Sequence, residues 1–158
     1  MKPKFLIIAL IVFWASLMAC SEQSRNTTGV AESKYKTGQV WSYKTRPNET
    51  DSKITILKVE TAAAIGKVVH VSIEGLRISN PRTKEGFVAT IPFTSFSEEA
   101  IDRSVVSRIK ENVEVPDSKQ AYEEWQQTYQ QNQGGVFTMP VAEAIGLMEK
   151  NMNRPHAR

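Results

Sequence analysis

The residues best suited to acid–base work are two histidines, His70 and His156. His70 stands in Val69-His70-Val71-Ser72. In an extended strand, alternate side chains point to opposite faces, so His70 is set against Val69, Val71 and Ile73. It reads as a surface or rim histidine of a sheet. No His-Glu-x-x-His run, second histidine at ligand spacing or tied carboxylate pattern accompanies it. His156 lies in the C-terminal tail. No serine stands in Gly-x-Ser-x-Gly or Ser-x-x-Lys context with recognisable partners. Glycine-rich phosphate loops and dinucleotide fingerprints are absent. Glu98-Glu99 and Glu123-Glu124 are sequence neighbours, which diverge by about 100° on a helix and form no dyad. The expected inventory is therefore no catalytic residue, no metal ligand and no cofactor, with an unrecognised enzyme site around His70 as the alternative.

Two further sets suit binding. Trp41 and Tyr43, with Trp125, form an aromatic set for a small molecule or glycan, or else core between sheet and helices. Arg77, Arg82 and Lys84, joined by Arg46, form a basic set for an acidic partner or lipid head groups. Glu74 and Glu85 are interspersed there, which equally suits ordinary loop solvation.

These residues need elements to hold them. Gly38 to Thr45 alternates with Trp41, Tyr43 and Thr45 on one side, and Pro47 to Ser52 has the composition of a turn. Lys53 to Val59 is β-branched, with Ile54 and Ile56 sharing a face. Val69, Val71 and Ile73 share another, and the parity breaks at Glu74-Gly75, which predicts a bulge. Leu76 and Ile78 continue that strand. Asn80 to Gly86 is a loop, and Phe87, Ala89, Ile91 and Phe93 alternate beyond it. The pattern then turns helical, with Ser97-Glu98-Glu99 as a start and Ile101, Val105 and Ile109 on one stripe. Pro116-Asp117-Ser118 precedes a helix carrying Tyr122, Trp125 and Tyr129, and Gly134-Gly135 ends it. Val136-Phe137-Thr138 suits a short fifth strand. Pro140 opens a last helix with Val141, Ile145, Met148 and Met152 on one face. Strands followed by helices predict an α+β domain, an antiparallel sheet of four to five strands packed by two or three helices.

The N-terminus carries the most specific signal. Lys2 and Lys4 precede an apolar run from Phe5 to Ala15, too short for a spanning helix of about 20 residues. A positive flank, a short apolar stretch and a small residue at the cut have the layout of a secretory signal. Leu17-Met18-Ala19-Cys20 resembles the bacterial lipobox, in which the cysteine after the cut receives the lipid. That resemblance implies residues 1–19 as signal peptide and a lipidated (palmitate-bearing) Cys20. Residues 21–34 are polar with little periodicity and read as a flexible tether after Cys20, ahead of a domain over 35–152 and a frayed tail from 153 to 158. A polar tether of this length spans roughly 20 Å. Ser21 rather than Asp resembles the outer-membrane sorting pattern, facing the periplasm. Cys20 is the sole cysteine, so acylation leaves no thiol for a disulfide, a metal site or nucleophilic catalysis. Removing residues 1–19 lowers Lys plus Arg from 20 to 18 against 17 acids, so the net charge falls from +3 to +1. A chain so balanced gives no electrostatic case for nucleic acid. Asn26-Thr27-Thr28 and Asn48-Glu49-Thr50 read as chance sequons.

The run Tyr35-Lys-Thr-Gly38-Gln-Val-Trp41-Ser-Tyr43-Lys-Thr-Arg46-Pro47 resembles a group of small proteobacterial proteins of uncharacterised function. Gly75-Leu-Arg77-Ile-Ser-Asn80-Pro81 and Gly134-Gly135-Val136-Phe137 are similar to the same group. The resemblance implies one folding unit over 35–150 and supplies no catalytic residues. The expected role is a non-enzymatic, membrane-anchored protein-binding lipoprotein. Its partner would be an envelope machine that it serves as an accessory subunit, or a toxin that it inhibits in the manner of an immunity protein.

Overall fold

A computed structural model describes residues 32–154. The expected signal segment, Cys20, most of the expected tether and the last four residues of the tail lie outside them. The element order is β1 (Val40–Tyr43), β2 (Lys53–Ala62), β3 (Gly66–Ser79), β4 (Phe87–Ser97), α1 (Glu98–Ser104), β5 (Val105–Lys110), α2 (Lys119–Gln130) and α3 (Val141–Met152). The strands make one antiparallel sheet in the order β4-β3-β2-β1-β5. The fold is α+β, with most strands ahead of the helices.

One sheet face is apolar. Ile54 and Ile56 of β2, Val69, Val71 and Ile73 of β3 and Phe96 of β4 pack there against Ala100 and Ile101 of α1. Val141, Ala144 and Ile145 of α3 join this core, with Tyr35, Tyr43, Leu76 and Ile78. Burying an aliphatic side chain of this size contributes roughly 1.5–3 kcal/mol, so this face carries most of the stability. α1 starts where Ser97 accepts the N–H of Ala100, with Glu98 and Glu99 in the favourable first turn. Pro140 offers α3 no side-chain cap. Instead the Ser104 hydroxyl, at the end of α1, accepts the Val141 N–H at 2.9 Å. This bond fixes where α3 begins against α1.

Bulges decide which side chains share a face. Between β2 and β3, Ile56 pairs with Val71 but Lys58 pairs with His70, so Leu57 is extra. The extra residue inverts the alternation. Val59 joins the apolar face, while Lys58 and Glu60 turn to the other. The break expected at Glu74-Gly75 is present: the β3–β4 register slips there, and Gly75 has φ +76°. A side chain at Gly75 would also press on the Ser52 backbone.

The structure differs from the periodicity reading after α1. Ile101, Val105 and Ile109 do not form one helical stripe, because the helix stops at Ser104 and the chain continues as β5, paired with β1. Val105 already has extended backbone, φ −68° and ψ 150°. Two consecutive valines favour a strand, and β1 offers an edge to pair with. The fifth strand is thus 105–110, and Phe137 makes only an isolated bridge to Phe96. Phe93 also departs from its expected alternation, since a register shift between Val71 and Ile73 turns it to the second face. At the N-terminal end, Ser33 and Lys34 already touch α1, bonding Glu98 and Asp102.

Candidate functional site

The second sheet face is polar, and α2 lies over it. His70 and Ser95 are cross-strand neighbours on this face. His70 is fully buried, not a rim residue. Its ring stacks on Phe93, with centroids 5.2 Å apart, and Tyr122 and Trp125 of α2 meet it edge-on at 5.5 and 4.6 Å. The correction has a simple cause. Alternation placed His70 opposite the valines correctly, but it did not show that a helix covers that face too.

The hydrogen bonds fix the tautomer. Burial works to raise the Glu60 carboxyl, but bonds from Lys58, Tyr122 and His70 outweigh it and hold it below its ordinary range. An ionised carboxylate only accepts. His70 Nε2 therefore carries the proton and donates to Glu60 Oε1 at 3.2 Å. Nδ1 is left to accept from the Ser95 hydroxyl at 2.8 Å. Burial pushes the His70 imidazole down, against the opposing pull of Glu60, which favours the neutral ring. Lys58 closes the group: its ammonium is 2.9 Å from Glu60 and 3.4 Å from the centre of the Tyr122 ring. Tyr122 donates to the other Glu60 oxygen at 2.7 Å.

Serine, histidine and carboxylate in this order are the parts of an activated nucleophile. A nucleophile must also reach its substrate. Ser95 is only 3% exposed, and its histidine is fully buried among three aromatic rings. In this closed arrangement the chain of bonds satisfies buried polar groups and seats α2.

A second polar cluster surrounds Arg46. Its guanidinium forks onto Glu49, with Nε to Oε2 at 2.9 Å, and reaches Glu149 of α3 at 2.6 Å. Glu49 is buried and also accepts the Arg77 backbone N–H at 2.7 Å. Hydrogen bonding to Glu49 raises the Arg46 pKa despite burial. Burial works to raise the Glu49 carboxyl, but Arg46 and the Arg77 N–H outweigh it and hold it low. These residues line a cleft of about 360 Å³. The Arg46 charge is thus matched inside the fold, where it ties α3 to the β1–β2 turn.

The basic set expected from sequence is dispersed. Arg46 faces inward. Arg77 is exposed with its guanidinium over the Phe87 ring at 4.8 Å. Arg82 and Lys84 are exposed on the β3–β4 loop. The aromatic set is dispersed too. Tyr43 is buried, and its hydroxyl bonds Ser52 at 2.7 Å. Trp41 is half-buried against Tyr35 and donates from its indole N–H to Gln39 at 3.1 Å. Trp125 covers His70 on the other face. Among the described residues, no three His, Cys, Asp or Glu side chains gather as a metal site requires.

The feature that sequence reasoning missed is the free edge of β5. Val106 is 65% exposed and Ile109 50%. Both are skipped by the register with β1: Trp41 pairs with Arg108 and Val40 with Lys110, then Ser42 with Ser107 and Tyr43 with Val105. Each bulge thus leaves an apolar side chain unmatched. Two bulges in six residues are invisible to a periodicity argument. The Val105-Val106 pair was the available signal for a strand.

The chain matches no protein-family model, no curated protein and no solved structure in the comparisons made. The reading of function therefore rests on the sequence motifs and on this geometry.

Proposed function

We propose that this chain is a membrane-anchored lipoprotein whose periplasm-facing domain is a non-enzymatic protein-binding module. Lipid on Cys20 holds it at the cell envelope, in the outer membrane by the residue at position 21. It serves an envelope machine as an accessory subunit, or inhibits a toxin there. The anchor half rests on Leu17-Met18-Ala19-Cys20. The binding half rests on one observation, the unpaired edge of β5 with Val106 and Ile109 held out to solvent. Two large apolar side chains exposed on one short, unpaired edge strand favour an interaction site there.

The test uses the whole chain in cells. An apolar photo-reactive residue replaces Val106 or Ile109, with Lys150 and Glu123 as controls. Illumination is expected to give a discrete adduct with another protein from the β5 positions alone. Cys20→Ala is expected to lose palmitate labelling and the adduct together. Equal adducts from all four positions would overturn the binding reading, and unchanged lipid labelling in Cys20→Ala would overturn the anchor.

A second reading, an acyl-transfer enzyme, is favoured by the Ser95–His70–Glu60 chain of hydrogen bonds. It requires α2 to lift and free Ser95. A serine-directed phosphonate probe labels such an enzyme at Ser95 and loses the label in His70→Ala; absence of label from the folded wild-type chain speaks against it.

A further inference from the structure

The β5 edge carries more information than its exposure. It rests on the protein-binding reading, and it names the partner's chemistry. Val106 and Ile109 are three positions apart, which places them roughly 10 Å apart along an extended chain. Cations stand at both ends of the strand. Arg103 closes α1 just before β5, and Lys44 lies beside it, its backbone N–H bonded to Ser104 O at 2.9 Å and its ammonium turned to the Arg103 carbonyl at 3.4 Å. Lys110 ends β5, and Arg108 is balanced by Glu111 at 2.6 Å. Among the described residues, no carboxylate lies within ion-pair distance of Lys44, Arg103 or Lys110.

We propose that Val106 and Ile109 insert into a protein partner whose surrounding surface is rich in carboxylates, which face Lys110 at one end of β5 and Lys44 and Arg103 at the other. Three observations select this occupant. Bulges and edge cations are the devices that stop continuous strand addition, so the contact is made by side chains and not by a sixth strand. A second copy of this chain would bring like charges together across a two-fold axis. A bilayer surface is met by aromatic side chains at the interface, but here Trp41 and Tyr43 are turned inward.

The experiment uses the lipidated full-length chain with the photo-reactive residue at position 109. It compares the otherwise wild-type chain with Arg103→Glu/Lys110→Glu and with a distant control, Lys150→Glu/Arg154→Glu. Urea unfolding confirms that the three chains are equally folded. The β5 reversal is expected to reduce the protein adduct about tenfold, since rim charges govern encounter, while the control leaves it within about twofold. An undiminished adduct in the β5 reversal overturns the acidic partner and leaves the docking edge standing. An adduct with a second copy, or with lipid alone, overturns the proposal. Loss of all adduct in the wild-type chain would instead remove the protein-binding reading beneath it.

Discussion

β3 and β5 belong to the same sheet and meet opposite fates. From Val68 to Ile73, every residue of β3 is buried, because α1 and α3 cover one face and α2 the other. In β5 only Val105 is even half-buried. The histidine inside β3 is answered by Glu60 and Ser95. Val106 and Ile109 of β5 are not answered at all. An unsatisfied polar group inside a protein costs free energy, so the fold supplies a partner. An apolar group left outside costs the fold little, and in the proposed docking its burial comes with the partner.

The sharpest way to break this contrast is to empty the buried strand. Ile73→Ala is expected to cost about 4 kcal/mol of unfolding free energy, as loss of a buried aliphatic side chain does. A loss below about 1 kcal/mol in urea titration would mean that the face is not the packed core described. Arg46→Ala comes next, at about 3 kcal/mol, because it strips the buried Glu49 of its counter-charge. Retained stability there would show that Glu49 takes up a proton or finds water instead.

His70→Ala is expected to cost about 2 kcal/mol, leaving Ser95 without its bond and α2 without the ring it rests on. Helix α2 should loosen first, seen as a rise in Trp125 exposure by quenching. Unaltered quenching would mean that α2 is held by something else.

The same histidine sets a pH dependence. A free imidazole titrates near 6.5, and burial pushes that of His70 lower. As pH falls, the unfolded chain binds the proton first. The contribution is therefore complete above pH 6.5 and is lost as pH falls through the folded value. The carboxyls of Glu60, Glu49 and Asp102 are held below 4.5, 4.5 and 3.8, so their losses begin lower still. Unfolding free energy should decline from about pH 6.5 downward in the wild type, and this slope should vanish in His70→Gln. An identical slope in that variant would assign it elsewhere.

The smallest effect on stability belongs to β5. Val106→Ser with Ile109→Ser should change it by no more than about 0.5 kcal/mol, as exposed positions do. A large loss would make β5 part of the core and end the contrast.

The legibility of the sequence follows the same division. Gly75, Pro140 and the alternating valines of β3 disclosed strands, bulge and last helix, because each is a local effect of backbone or period. The Glu60–His70 bond was hidden by the Leu57 bulge. Counted by twos from Ile54 and Ile56, Glu60 belongs to the apolar face; the extra residue carries it to the other. Arg46 looked like surface charge, since Glu149 lies over a hundred residues away in the chain. The β5 edge was read as helix because Ile101, Val105 and Ile109 fit a four-residue spacing; the Val105-Val106 pair was the one local signal against it, and pairing with β1 settles the strand.

A scan of the photo-reactive residue through positions 105 to 110 of the full-length chain in cells tests the central claim most directly. Protein adducts are expected to peak at 106 and 109. They should be weak at 105, which packs against the core, and at 107, whose side chain meets the Ser42 hydroxyl of the neighbouring strand. A flat profile, or one with its maximum at 105 and 107, would contradict the docking edge.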